Sequence, residues 1–136
     1  MKALVPVRKG SQRVINKNIK AFAGSSLLEI KINQLKRVKG IDEICVNSDC
    51  EKMLEIASNL GATPILRDPY YASNNVPMNE VWKNMAQSME CEDIMYVNVT
   101  NPLVLDQTYE DICDIWKNLD SKYDSISTTH ILKEYI

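Results

Sequence analysis

Four cations fall within ten residues near the amino terminus, in the stretch LVPVRKGSQRVINKN: Arg8, Lys9, Arg13 and Lys17. Cationic side chains, a glycine that lets the backbone approach closely and a serine hydroxyl can together hold a polyphosphate. Hydrogen bonds to charged groups contribute roughly 1.5 to 3 kcal/mol each. The stretch therefore has the means to bind a nucleotide, although most lysines and arginines are simply solvated. It contains neither a P-loop motif nor a G-x-G-x-x-G motif.

Strand and helix signals alternate along the chain and indicate which loops carry chemistry. Short apolar runs predict strands at 3–7, 44–46, 64–66 and 94–99, with a further extended segment beginning at 125–128. Helical spacing predicts four helices, marked by Leu28, Ile32, Leu35 and Val38; by Met53, Ile56, Ala57 and Leu60; by Val81, Met85 and Met89; and by Tyr109, Ile112, Cys113 and Trp116. This order predicts an α/β fold, a Rossmann-like and mostly parallel sheet with helices on both faces. Ligands of such sheets bind beyond the carboxyl ends of the strands, so function is expected in the loops after residues 7, 47, 66 and 99.

Local signals predict where two of the helices begin and where one ends. Ser26 to Glu29 reads as a capping box, and so does Ser48 to Glu51. Gly61 provides a left-handed stop for the second helix.

Length and composition indicate one ordinary globular domain, residues 1–136. The chain is 45% hydrophobic and 25% charged, with a formal net charge of −2. The slight acidity argues against general nucleic-acid binding, which needs an extended basic face. No apolar window approaches the 18 residues or so of a membrane span, and a cytoplasmic protein is expected. The four cysteines lack metal-ligand spacing and are expected to be reduced thiols.

Four segments resemble those of the CMP-acylneuraminate synthetases, the cytidylyltransferases that activate sialic acid-type sugars. VPVRKGSQRVINKNIKAFAGSSLLEIKINQL resembles the amino-terminal signature of that family, and IDEICVNSD its second strand and turn. GATPILRDPYYASNN and YVNVTNPLV are similar to two later segments, in the same order. The resemblance covers essentially the whole chain.

The resemblance implies roles for particular residues. Residues of the first loop would clasp the CTP phosphates: Arg8, Gly10, Ser11 and Lys17, with Asn18 in support. Three residues would surround the cytosine: Arg67, Ala72 and Ser73. Asn98 and Thr100 would meet the nucleotide or the incoming sugar. In the implied reaction the anomeric hydroxyl of a nine-carbon sugar acid attacks the α-phosphorus of CTP and pyrophosphate leaves, with Mg²⁺ sharing the neutralisation of charge. Arg8 and Lys17 are then the expected catalytic cations.

Three positions bear on the substrate. Synthetases for the eight-carbon acid Kdo carry a metal-binding aspartate where this chain has Thr100, which favours the acylneuraminate branch (sialic, legionaminic and pseudaminic acids). The glutamine typical of that branch is Asn98 here, and an arginine of its motif is Val104. These departures leave the sugar acid open.

Family members continue into a substrate-binding and dimerisation segment whose late aspartates hold Mg²⁺, and the chain ends before it. The resemblance therefore implies a CTP-binding portion of a longer enzyme, without full activity alone, with Mg²⁺ ligands elsewhere and a homodimer as an open possibility. Three alternatives stay open: a nucleotide-binding or oligomerisation module without catalysis, a cytidylyltransferase for another acid such as Kdo, and a receiver-like or flavodoxin-like domain. The last would have acidic residues or a Ser/Thr-rich loop after the first strand, where this chain has Arg8-Lys9-Gly10.

Overall fold

A computed structural model of the chain describes residues 1–10 and 14–129. Its centre is a four-stranded parallel sheet in the order β3-β2-β1-β4. The strands are β1 (Lys2–Pro6), β2 (Glu43–Ser48), β3 (Thr63–Leu66) and β4 (Ile94–Tyr96). Pro64 lies in β3, an edge strand, where a missing backbone donor is tolerated. The predicted parallel α/β sheet is confirmed.

Helices connect the strands, as parallel pairing requires. They are α1 (Leu27–Leu35), α2 (Glu51–Asn59), α3 (Pro69–Ala72), α4 (Met78–Gln87) and α5 (Asp106–Lys117), with a 3₁₀ turn at Lys17–Ile19. The short α3 and the 3₁₀ turn were not predicted, because neither is long enough to show a helical hydrophobic period.

Side chains alternate between two cores along the central strands. Ala3 and Val5 of β1 belong to a cluster with residues of α1, α2 and α5. Leu4, between them, belongs to a second cluster with Val81 and Met85 of α4. The sheet is therefore covered by helices on both faces, as predicted.

The first capping signal is confirmed and the second is wrong. Ser26 is the N-cap of α1, and its hydroxyl accepts a hydrogen bond from the Glu29 amide at 3.3 Å. The helix α2 begins later than its capping signal, with Cys50 as N-cap. The Ser48 hydroxyl is buried at the end of β2 and accepts from the Cys50 amide at 3.1 Å. Gly61 has a φ of 74°, the left-handed stop predicted for this helix.

Two strand predictions differ from the structure. The strand predicted at 94–99 ends at Tyr96, and its last ladder bond runs from the Val97 amide to the Leu4 carbonyl at 2.9 Å. Residues 125–128 form no strand. Within the described residues, no helix is long and apolar enough to cross a membrane.

Candidate functional site

The strand order reverses at the carboxyl end of β1. β2 and β3 lie on one side of β1 and β4 lies on the other, so the chain reverses its direction across the sheet between β3 and β4. In open parallel sheets this arrangement opens a crevice at the carboxyl edge, where ligands bind.

A cavity of about 350 Å³ lies at this edge. Arg8, just after β1, and Arg67, just after β3, contribute its two cations, and Ser73 and Asn74 add polar groups. Val81 and Met85 of α4 supply an apolar wall. The cavity thus combines positive charge with an apolar surface, a combination suited to an anion that carries a flat ring.

Arg67 is 5% exposed and is held by the end of β2. Its Nε donates to the Asn47 side-chain oxygen at 2.5 Å, and its Nη2 donates to the Asn47 carbonyl at 3.0 Å. Nη2 also lies 3.4 Å from the Met85 sulfur. Among the described residues no hydrogen bond is made by Nη1, so its two N–H groups are available to a ligand in the cavity.

Arg8 lines the same cavity. Its Nη1 donates to the Ala72 carbonyl at 3.1 Å and to the Asn74 side-chain oxygen at 2.8 Å. These bonds tie the loop after β1 to the loop after α3, across more than 60 residues of sequence. The guanidinium is therefore oriented by the protein before any ligand arrives.

The two guanidiniums lack a close counter-ion. Within the described part of the chain, no carboxylate oxygen lies within 4.0 Å of either. Burial lowers the pKa of Arg67, the charges of Asp49 and Tyr96 oppose this shift, and the neighbouring Arg8 adds a smaller lowering. Arginine stays charged in proteins, so this downward shift marks a cation that burial has partly removed from water. An anion in the cavity would replace part of that lost solvation.

The rest of the first loop is arranged around Arg8. Gly10 has a φ of 83°, a left-handed conformation that side chains other than glycine adopt at a cost. The Lys9 amide donates to the Asp49 carboxylate at 2.8 Å, which joins the loops after β1 and β2. The buried Asn18 donates to the Arg8 carbonyl at 3.4 Å. Ser11 lies outside the described residues.

Lys17 stands beside Asn18 in the 3₁₀ turn and is half-buried. Its ammonium makes no hydrogen bond or ion pair with any residue that the structure describes. The structure thus places this predicted catalytic cation on the loop that Arg8 begins, with its donors unengaged there.

Asn98 and Thr100 lie apart from the Arg8–Arg67 cavity. Both are exposed after β4, and Asn98 lines a second cavity of about 560 Å³ beside β4 and α5. Tyr96, the last residue of β4, lines both cavities. Of the predicted site residues, Arg8, Arg67 and Ser73 line the first cavity, and Asn98 lines the second.

Three residues near these cavities escaped prediction. The Asn47 side-chain oxygen accepts a hydrogen bond from Arg67. The sequence feature that could have identified Asn47 is its place as a polar residue at the end of an apolar strand. Asn74 accepts a hydrogen bond from Arg8, and no sequence feature distinguishes it from its polar neighbours. Lys31 is fully buried on α1, where it interrupts the apolar face between Leu28 and Leu35.

A family model described as Cytidylyltransferase matches residues 2–134. Pseudaminic acid cytidylyltransferase from Campylobacter jejuni is 30% identical over 117 residues, which cover 79% of this chain and 50% of that protein. A 3-deoxy-manno-octulosonate cytidylyltransferase from Anaeromyxobacter is 30% identical over 66 residues, covering 48% of this chain and 27% of that protein.

Solved structures agree on the fold. CMP:2-keto-3-deoxy-manno-octonic acid synthetase in complex with CTP aligns with a TM-score of 0.74 at 14% identity, covering 87% of this chain and 47% of that one. The chain thus spans about half the length of the pseudaminic acid cytidylyltransferase and of the solved synthetase.

Proposed function

The chain belongs to the cytidylyltransferase family, and on this premise we propose that it binds CTP at the carboxyl edge of β1 and β4. The proposed reaction transfers the cytidylyl group of CTP to a sialic acid-like nine-carbon sugar acid. The products are the CMP-sugar and pyrophosphate.

The observation that carries this proposal is the pair Arg8 and Arg67 in one cavity, with no paired carboxylate among the described residues. CTP is a strongly charged anion with a flat base, and the cavity offers two oriented cations and an apolar wall. Nη1 of Arg67 retains two donors for it. Binding would replace solvation of these cations by charge-assisted hydrogen bonds.

The proposed reaction requires positioning of the two reactants and stabilisation of charge rather than a protein nucleophile. The anomeric hydroxyl releases its proton to water as its oxygen forms a bond to the α-phosphorus, and the bond from that phosphorus to the bridging oxygen of pyrophosphate breaks. Negative charge grows on the departing pyrophosphate. Arg8 and Lys17, the proposed catalytic cations, would stabilise it from the first loop.

The remaining proposed roles belong to residues of the first loop, of the segment after β3 and of the loop after β4. Gly10, Ser11 and Asn18 would shape the phosphate loop around Arg8. Arg67, Ala72 and Ser73 would surround the cytosine. In the loop after β4, the exposed Asn98 and Thr100 would contact the nucleotide or the sugar acid.

Mg²⁺ is part of the proposed reaction, but the described residues do not form a site for it. Across residues 1–10 and 14–129, no three His, Cys, Asp or Glu side chains come together.

Calorimetry of CTP binding tests the proposal on this chain. Arg8→Gln is expected to weaken CTP binding about 10- to 100-fold, since it removes charge-assisted bonds worth roughly 1.5 to 3 kcal/mol. Lys9→Gln is the matched control, because it removes the same charge from an exposed side chain in the same loop. It should change the affinity less than threefold. Failure of CTP to bind the unaltered chain, or equal losses in both variants, would contradict the proposal.

Kdo is the second candidate substrate, because a Kdo cytidylyltransferase is 30% identical over 48% of the chain. Saturation-transfer NMR with the chain saturated in CTP can compare Kdo with N-acetylneuraminic, legionaminic and pseudaminic acids. We expect a nine-carbon acid to give the stronger signal. A stronger signal from Kdo would favour the second candidate.

A further inference from the structure

Lys31 is a cation in the middle of a hydrophobic core. Its side chain is 0% exposed, and it lies on α1 beside the core residues Leu28, Ile32 and Leu35. Burying an ammonium is unfavourable unless its donors are satisfied. The surroundings of Lys31 must therefore supply acceptors.

Three acceptors meet its three donors. Nζ donates to the Gln34 side-chain oxygen at 2.6 Å, to the Tyr109 hydroxyl at 2.8 Å and to the Asn101 carbonyl at 2.9 Å. The ammonium also lies 4.9 Å from the centre of the Tyr109 ring, a cation–π contact. Within the described residues no carboxylate oxygen comes within 4.0 Å of it.

The bond to Asn101 connects α1 to the loop that follows β4. Asn101 is exposed, and the protein holds it here through its backbone rather than through its side chain. One turn further along α1, Gln34 donates to the Val104 carbonyl and, at 3.0 Å, to the Asp106 carboxylate. Lys31 and Gln34 thus anchor the loop at two points, just after Asn98 and Thr100 and just before α5.

We propose that Lys31 is a positioning residue that fixes the 98–104 loop so that Asn98 and Thr100 face the incoming sugar acid. This inference rests on the proposed function for the identity of the ligand. An apolar side chain would fill the same space without a buried charge. Unlike an apolar side chain, Lys31 donates directed hydrogen bonds, and the loop accepts one of them at Asn101.

Backbone ¹⁵N relaxation of the chain tests the anchoring. Lys31→Met keeps the length of the side chain and removes every donor. We expect the order parameters of residues 98–101 to fall from about 0.85, typical of rigid backbone, to below about 0.6. Those of β1 and β2 should stay unchanged.

Arg37→Gln is the matched control. It removes a cation that lies just past the carboxyl end of α1 and contacts Asp106 but not the loop itself. Order parameters at 98–101 should match those of the unaltered chain. Rigid loop residues in Lys31→Met, or equal loosening in both variants, would overturn the proposal.

A ligand measurement separates positioning from a purely structural role. With N-acetylneuraminic acid as the probe and CTP at saturation, Lys31→Met is expected to weaken sugar binding at least tenfold and to leave CTP affinity within twofold. Equal losses for both ligands would overturn the positioning role. Absence of CTP binding in the unaltered chain would remove the proposed function, while the relaxation result would still decide whether Lys31 holds the loop.

A second measurement needs no variant that might fail to fold. In the unaltered chain, the buried ammonium should give a slowly exchanging ¹⁵N–H signal with nuclear Overhauser contacts to Asn101. Contacts to Tyr109 without any to Asn101 would overturn the proposal.

Discussion

Two buried cations, Arg67 and Lys31, serve opposite faces of one sheet. Arg67 borders a cavity walled by α4 on one face. Lys31 lies between α1 and α5 on the other. Neither has a carboxylate within 4.0 Å among the described residues. The contrast between them lies in how many of their donors the protein engages.

Lys31 has three donors and three protein acceptors, whereas Arg67 keeps two N–H groups of Nη1 without an acceptor in the described chain. A buried cation whose donors are all engaged can only hold the protein together. A buried cation with free donors beside a cavity can also hold an anion. Burial and charge alone therefore do not distinguish a binding residue from a structural one. The number of donors that the protein leaves without an acceptor does distinguish Arg67 from Lys31.

The largest effect is expected from Arg67→Gln. The substitution removes the free donors and the charge, and CTP affinity should fall at least 100-fold, or about 3 kcal/mol. Asn47 would also lose the donors to its side-chain oxygen and carbonyl, so urea denaturation should show a loss of about 1 to 3 kcal/mol in the free energy of unfolding. A CTP affinity within threefold of that of the unaltered chain would show that Arg67, like Lys31, does not bind the ligand.

The effect of Lys31 is expected in the pH dependence of the free energy of unfolding rather than in CTP affinity. Burial lowers the pKa of Lys31 to about 8 from 10.5, and the nearby Asp106 of α5 opposes this shift. Above pH 8 the folded chain has released a proton that the unfolded chain keeps until about 10.5, so the free energy of unfolding rises with pH in this window. Between pH 8 and 10 the gain should be about 2 kcal/mol relative to Lys31→Met, by chemical denaturation.

Subtracting the variant removes the contributions of other groups that titrate in the same range. Tyr109, which also faces Lys31, has a pKa raised by burial and stays protonated through most of the window. A difference that stays flat or falls from pH 8 to 10 would contradict the assignment of a buried, hydrogen-bonded ammonium.

Asn47→Asp would sharpen the comparison by giving Arg67 a counter-ion. The substituted oxygen would stand where the Asn47 oxygen now accepts from Nε at 2.5 Å. The paired guanidinium should attract a phosphate less, so CTP affinity is expected to fall about tenfold without loss of thermal stability. Unchanged affinity, measured by calorimetry, would mean that the charge of Arg67 plays no part in binding.

The smallest effect is expected from Tyr109→Phe. It removes one of the three acceptors of Lys31 and keeps the ring beside the ammonium. The free energy of unfolding should fall by about 1 kcal/mol, with CTP affinity unchanged. A loss of CTP affinity would show that the two faces of the sheet are coupled.

Much of the fold was predictable because it is encoded over short stretches. The capping residue Ser26 and the stop at Gly61 act within one or two helical turns, and the alternation of strands and helices set the parallel sheet. The failures also have local causes. Ser48 carries a capping pattern, but its burial at the end of β2 gives its hydroxyl another partner. Val97 and Val99 are buried without extending β4, since apolar content does not distinguish a strand from a buried turn.

The sequence by itself determined the order of strands and helices and the family, and it predicts the loops where a ligand would bind. Only the tertiary structure decided which polar groups meet there. Arg8 reaches Asn74 across 66 residues, Arg67 reaches Asn47 across 20, and Lys31 reaches Asn101 across 70. Such contacts follow from the strand order β3-β2-β1-β4 and from how α1, α4 and α5 pack on the sheet. Periodicity and capping act over a few residues and carry no information about partners brought together by packing.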